Sequence, residues 1–266
     1  MKLLEIGILF VLALQLRVLM SKINYLDYSA GNQNLNLRIE EFLLEDIKLN
    51  PDNVWLRFWK GDDSVILGKS QKIEEVCNIE NCINDNVGVY RRFSGGGAVF
   101  HDSGNLNIAI ALDRKRWNLP LDPKKSFEWL SLIIQKFLNK NGLNSSTGRI
   151  SDILAARSND FKKVSGTAQA RRGSALLWHG TLLIDTPIEK IKRYLPIPPD
   201  RPGIPHEDYV SNLKMLDVYL DVKSIKKQIL EIAKDFFQIP CLECNFNDRI
   251  KERLPETEYM NILKKG

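Results

Sequence analysis

Apolar residues recur at helical spacing between Leu35 and Ile47, at Leu35, Ile39, Phe42, Leu43 and Ile47, which predicts an amphipathic helix. The run Val54 to Trp59 is apolar apart from Arg57 and reads as a strand. Gly61-Asp62-Asp63 turns the chain, and Ser64 to Gly68 reads as the returning strand of a hairpin. Further strands are expected at Val87–Arg92, Ala98–His101 and Leu106–Leu112, the first two separated by Ser94-Gly95-Gly96-Gly97. A second hairpin is expected from Lys162–Ala168 and Ala175–Asp185. Residues 124–140 carry Phe127, Leu130, Ile133, Ile134 and Phe137 on one helical face. Thr186 and Pro187 read as the cap and first residue of a short helix, Pro196–Pro205 as an exposed loop, and Val222–Phe237 as a helix. Hairpins interleaved with helices, without regular βαβ alternation or an internal repeat, predict an α+β fold with a mixed, mainly antiparallel sheet.

The ends of the chain read differently. An apolar run from Ile6 to Leu14 is too short to span a bilayer, and no small-x-small cleavage site follows it. Met20 opens a segment that reads as the start of a cytoplasmic enzyme. Residues 1–19 are therefore read as an apolar extension, either a spurious start or a loosely attached helix, with a targeting segment as the alternative. Residues 20–240 are read as the catalytic domain and 241–266 as a short tail.

Composition narrows the function. The 266 residues are 44% apolar and 27% charged, with a formal net charge of +5, ordinary for a globular chain with a substantial core. A mild cationic excess suits anionic ligands. No dense Lys/Arg stripe interleaved with aromatics appears, so neither nucleic acid nor a membrane is expected as a partner. Four cysteines, Cys77, Cys82, Cys241 and Cys244, are too few for a disulfide scaffold of this length. The lone Cys241-Leu-Glu-Cys244 lacks the second pair a zinc ribbon needs and is read as free thiols.

Two segments concentrate chemistry. Arg91-Arg92-Phe93-Ser94-Gly95-Gly96-Gly97-Ala98-Val99-Phe100-His101-Asp102 places three glycines between two arginines and a His-Asp pair. Glycines in a strand-rich region permit close backbone approach to a ligand, and arginine suits phosphate and carboxylate. The pattern is neither G-x-G-x-x-G nor a P-loop. The second segment is Lys163-Val-Ser-Gly-Thr-Ala-Gln169, with His179-Gly-Thr-Leu-Leu183 ten residues further on. A lysine within an apolar strand is costly to bury unless an anion meets it.

Together these motifs resemble the lipoate–protein ligase A family, within the group that includes biotin–protein ligases and octanoyltransferases. Trp55-Leu-Arg-Phe-Trp59, Gly68-Lys-Ser-Gln71 and Val210-Ser-Asn-Leu213 match weaker family blocks, and the resemblance covers roughly residues 25–240. It implies an ATP-dependent ligase that activates lipoate to lipoyl-AMP and transfers the lipoyl group to a lysine of a carrier domain. That carrier would be the E2 component of a 2-oxoacid dehydrogenase or the glycine cleavage H protein. Carried over residue by residue, it implies that Arg92, Gly97, Ala98, Val99, Phe100 and Lys163 bind ATP. Gly95, Gly96, Gly97, Val99, His101, Lys163 and His179 would bind lipoate, with Ser94 and Asn105 in support. Lys163 would be the catalytic residue, touching both the lipoate carboxylate and the α-phosphate. Asp152, in Gly148-Arg-Ile-Ser-Asp152, would help hold Mg²⁺, although Ser151 stands where the family has asparagine and one extra residue follows Arg149. Ligases of this kind often have a C-terminal accessory domain, for which too few residues follow Phe237, so a separate small accessory protein is the corresponding expectation. Alternatives are a cysteine-thioester octanoyl or lipoyl transferase, against which no cysteine lies between Cys82 and Cys241, and a non-catalytic binding subunit.

Overall fold

A computed structural model describes residues 21–264 except 150, 199 and 200, so the apolar extension at residues 1–19 lies outside the described residues. An eight-stranded sheet has the order β11-β1-β2-β6-β10-β9-β8-β7. Its strands are β1 (Ile23–Asp27), β2 (Val54–Trp59), β6 (Asn105–Asp113), β7 (Asn144–Thr147), β8 (Asp152–Ala156), β9 (Lys162–Arg172), β10 (Ala175–Leu183) and β11 (Cys241–Glu243). Only the pairs β1–β2 and β1–β11 are parallel. A three-stranded sheet, β4-β3-β5, contains β3 (Ser64–Leu67), β4 (Gly88–Arg91) and β5 (Val99–His101). The α+β, mainly antiparallel expectation is met.

One expected pairing is not. β2 and β3 form no hairpin. β2 lies between β1 and β6, whereas β3 lies between β4 and β5 in the other sheet. Both strands are buried at every position, and a strand buried on both faces takes an interior place with a partner on each edge. The second hairpin forms as expected between β9 and β10. Thr186 is not a cap: its hydroxyl donates to Asp102 Oδ1 at 2.7 Å, and Pro187 takes the cap position of the helix Ile188–Tyr194.

Among the described residues, four helices of seven residues or more clothe the sheets: α1 (Gln33–Leu49), α2 (Pro123–Lys140), α3 (Ile188–Tyr194) and α4 (Val222–Phe237). Side-chain caps fix three of their starts. Asn32, Asp122 and Asp221 accept from the backbone N–H of Leu35, Lys124 and Ser224, satisfying donors that a helix N-terminus leaves unpaired. Alternation along the central strands assigns the two faces of the large sheet. Val54, Leu56 and Phe58 join Leu130, Ile133 and Phe137 of α2 and Ile225, Ile229 and Phe237 of α4 in one cluster. On the opposite face Trp55, Ala109, Ala111 and Leu177 pack against Ile39, Phe42 and Leu43 of α1.

The α1 face also holds a fully buried charge. Arg57 donates to the backbone oxygens of Asn36 and Tyr28 and to Asn36 Oδ1, at 2.8, 3.1 and 2.7 Å, tying β2 to the start of α1. Phe246, Ile250 and Leu254, in the chain beyond β11, pack against this face as well. Phe246 stacks on Tyr28 at 4.3 Å between ring centroids, and the Tyr259 hydroxyl donates to Glu41 at 2.6 Å.

Candidate active site

Ser94-Gly95-Gly96-Gly97 connects β4 to β5 and rests on the small sheet. Gly96 takes a left-handed backbone conformation (φ +87°), and its carbonyl sits where a Cβ on Gly68 would come within 2.0 Å. Only glycine fits at 68 with this segment so placed. Arg92 is buried beneath it. Its Nε donates to Ser94 Oγ (2.9 Å), Nη1 to the Ile66 carbonyl (3.1 Å), and Nη2 to the carbonyls of Gly95 and Gly97 (2.6 and 2.8 Å). Three of the five guanidinium N–H groups thus hold the glycine segment, and a fourth ties it to Ile66 on β3. Burial pushes the Arg92 pKa down to about 10, still charged at neutral pH.

Ser94 leads to a polar chain across the cleft. Its Oγ is 2.7 Å from Nε2 of His179 on β10, and Nδ1 of His179 is 2.5 Å from Glu40 Oε2 on α1. Trp59 Nε1 donates to the other Glu40 oxygen at 2.8 Å. Burial opposes the Glu40 charge, but His179, Arg57 and Trp59 outweigh it and hold the carboxyl below its usual range. Glu40 was not among the expected site residues. Inside Glu-Glu of a surface helix it looks solvated, yet it is 2% exposed and lines the cavity.

On β9 a bulge decides which way the lysine points. Ser165 pairs with Ile153 and Lys163 with Leu154, leaving Val164 unopposed. The extra residue sends Val164 into the core and turns Lys163 to the same face as Asp152 and Gly166. Lys163 Nζ meets Asp152 Oδ1 at 2.7 Å. A Cβ on Gly166 would lie 3.2 Å from this Nζ, so glycine keeps its path open. Arg201 Nη2 takes the second Asp152 oxygen, also at 2.7 Å.

The cleft has two connected compartments. The inner one, open to solvent at its mouth, is lined mostly by buried residues. Its apolar walls include Leu37, Trp59, Ile66 and Val99, with Arg92, His101, Asn107 and His179 as polar points. The outer one is larger, is also open to solvent, and adds Phe100, Arg149, Arg201, His206 and Tyr209. Gly97, Ala98, Val99, Asp152, Lys163 and Gly166 line both. Thus Arg92, Gly97, Ala98, Val99, His101, Asp152, Lys163 and His179 reach the cavity. Phe100 reaches only the outer compartment, stacked on Tyr194 at 4.9 Å. Ser94, Gly95, Gly96 and Asn105 do not line it; Asn105 Nδ2 instead donates to the Phe100 carbonyl at 3.1 Å, bracing the β5–β6 turn. His101 is buried with Nδ1 unpaired, and burial pushes its imidazole down to about 3.

Residues 32–234 match the lipoyl protein ligase A/B catalytic domain. The chain belongs to this family. It is 32% identical over 229 residues to the probable lipoate-protein ligase A of Mycoplasma pneumoniae, covering 86% of this chain and 60% of that protein. The chain therefore spans about 60% of that relative's length. The fold matches a crystal structure of lipoate-protein ligase A bound with ATP, with a TM-score of 0.75 at 23% identity over 88% of this chain and 92% of that one. It also matches a structure from the bi-partite lipoate protein ligase and E2 lipoyl domain system of Thermoplasma acidophilum, with a TM-score of 0.74 at 24% identity over 88% and 90% of the two chains. Both specific motifs meet at one cleft, the first through Arg92 and Gly97 to Val99, the second through Lys163 and Gly166. All four cysteines are free and none lines either compartment. Among the described residues no helix is long and apolar enough to cross a membrane, and no three His, Cys, Asp or Glu residues gather as a metal site.

Proposed function

We propose that the protein is an ATP-dependent lipoate–protein ligase, acting on a lipoyl carrier domain in the cytoplasm. The observation that carries this reading is the position of Lys163 where a compartment walled by Leu37, Trp59, Ile66 and Val99 meets a larger one that Arg149 and Arg201 also line. The inner compartment suits an acyl chain ending in a dithiolane, and the outer one a nucleotide. Their junction is where a carboxylate and an α-phosphate would meet.

Both reactants are anions, so charge dominates the first step. Lys163 would neutralise the approaching oxygens and stabilise the charge developing on phosphorus. A lipoate carboxylate oxygen forms a bond to the α-phosphorus, the bond to pyrophosphate breaks, and lipoyl-AMP results. The carrier lysine amine then attacks the acyl carbon, and AMP leaves with the electron pair of the broken C–O bond. Arg92 acts chiefly by fixing the glycine segment, and the cleft holds the two reacting atoms close. A single carboxylate completed by substrate phosphates is a usual magnesium donor set. Asp152 is the cavity carboxylate that fits it, and the ion would supply further neutralisation of the phosphates. Carriers of the E2 lipoyl type are supported by the Thermoplasma system, and the H protein is proposed on chemical similarity alone. The bi-partite character of that system supports a separate accessory protein as a partner.

Incubating a purified lipoyl carrier domain with the protein, lipoate and Mg²⁺, with and without ATP, and reading the carrier's intact mass tests the proposal. A mass gain that requires ATP is expected, from lipoate and ATP directly or with the accessory protein added. Chemically made lipoyl-AMP should lipoylate the carrier without ATP. Failure with lipoyl-AMP would sink the ligase reading.

A further inference from the structure

Arg201 belongs to neither specific motif, yet it lines the outer compartment and reaches Asp152. It sits between α3 and the short helix His206–Tyr209. A turn, in which its N–H donates to the Pro198 carbonyl and the Ile204 N–H donates to its own, sets its backbone. Its guanidinium lies over the Tyr209 ring, 4.3 Å from the centroid, and its side chain is 15% exposed. Stacking holds the planar fork in one orientation, so little freedom remains to be lost on meeting a ligand.

Asp152 shows what that fork is aimed at. One carboxylate oxygen takes Lys163 and the other takes Arg201, each at 2.7 Å. A two-oxygen anion thus fits between an ammonium and a guanidinium, and a phosphate presents two oxygens at similar spacing. The two cations differ in address. Lys163 lines both compartments, whereas Arg201 lines only the outer one. We propose that Arg201 is a phosphate-binding residue which, with Lys163, clamps the α-phosphate of the nucleotide in the position the Asp152 carboxylate takes in this structure. Asp152 then acts as a built-in competitor for that clamp. This inference rests on the adenylation reading above and adds to it the residue that grips the phosphate.

Calorimetric titration of the full chain with AMP, adenosine and lipoate, each without magnesium, tests the clamp. Arg201→Gln should weaken AMP binding roughly tenfold or more, the loss expected when a charge-assisted hydrogen bond is removed. Adenosine, which has no phosphate, and lipoate should bind the variant within twofold of wild type. Arg201→Lys should recover part of the AMP affinity through charge without the fork. Asp152→Asn, which removes the competing charge, should tighten AMP several-fold. AMP binding unchanged in Arg201→Gln would overturn the proposal. So would equal losses for AMP and lipoate, which would assign Arg201 to loop packing. Wild-type protein that binds lipoate but not AMP would overturn the adenylation reading together with the clamp.

Discussion

At the scale of single residues, Lys163 and His101 make opposite demands on the protein. Lys163 is a cation at the junction of two compartments, supported by one ion pair and a glycine that leaves it room. Lys163→Ala should lower lipoyl-AMP formation at least about a thousandfold, the scale of losing a preorganised charge at a reacting centre. The melting temperature should stay within a few degrees of wild type. Detection of lipoyl-AMP by mass spectrometry at near-wild-type rates would remove Lys163 from the chemistry. His101 must remain uncharged: with its pKa near 3 folded and about 6.5 unfolded, only the unfolded chain takes up a proton between those values. Stability is therefore full above about pH 6.5 and falls as the pH drops. From pH 6.5 to 5 the limiting loss from this one group is about 2 kcal/mol. His101→Asn should flatten that part of the curve in chemical-denaturation measurements from pH 7.5 to 5. A variant that loses stability on acidification as steeply as wild type would show that His101 is not its source.

At the scale of elements, the glycine segment is held by contacts from outside itself: the bare Cα of Gly68 below and Arg92 beside it. Gly68→Ala should displace the Gly96 carbonyl and raise KM for lipoate and ATP together, with a smaller effect on the melting temperature. Normal KM values in that variant would show that the segment tolerates movement. The elements also show what a sequence can disclose. Helices α1, α2 and α4 were legible because their apolar stripes repeat over three turns or more and their caps are standard side chains. The two chemical motifs were legible because consecutive glycines, paired arginines and a lysine are residue types an ordinary strand does not require. β1, β7, β8 and β11 were not seen, since strands of three to five residues such as INYLD, NSST, DILAA and CLE carry too little pattern. The partition of β2 and β3 between two sheets was hidden because their intervening turn suits a hairpin equally well. Lys163 was found by motif, but its direction depends on the Val164 bulge, a property of strand pairing that no local spacing reveals. Glu40 was missed because its partners, Trp59 on β2 and His179 on β10, are far from it in sequence.

At the scale of the whole molecule, the cysteines stand apart from the cleft, whereas the C-terminal segment braces residues that line it, Tyr259 packing with Leu37 and Ile66. Cys77 and Cys82 are buried together with their sulfurs 3.5 Å apart, while Cys241 and Cys244 lie at the far edge of the large sheet. Replacing all four with serine should leave carrier lipoylation largely intact. Loss of activity with an unchanged melting curve would revive the thioester route. Deleting residues 245–266 removes the Tyr28–Phe246 stack, the Tyr259–Glu41 hydrogen bond and the Arg253–Asp46 ion pair. Calorimetry should then show a melting temperature lower by several degrees.

The pairing of β1 with β11 joins Ile23 to Cys241 and Tyr25 to Glu243, strands more than two hundred residues apart in the chain. A ribosome releases β1 long before its outer neighbour exists. Until residue 243 emerges, that edge of the sheet offers unpaired N–H and C=O groups to any other extended chain. The growing protein is thus exposed to misassembly for most of its synthesis, and closing that edge is among the last events of its folding.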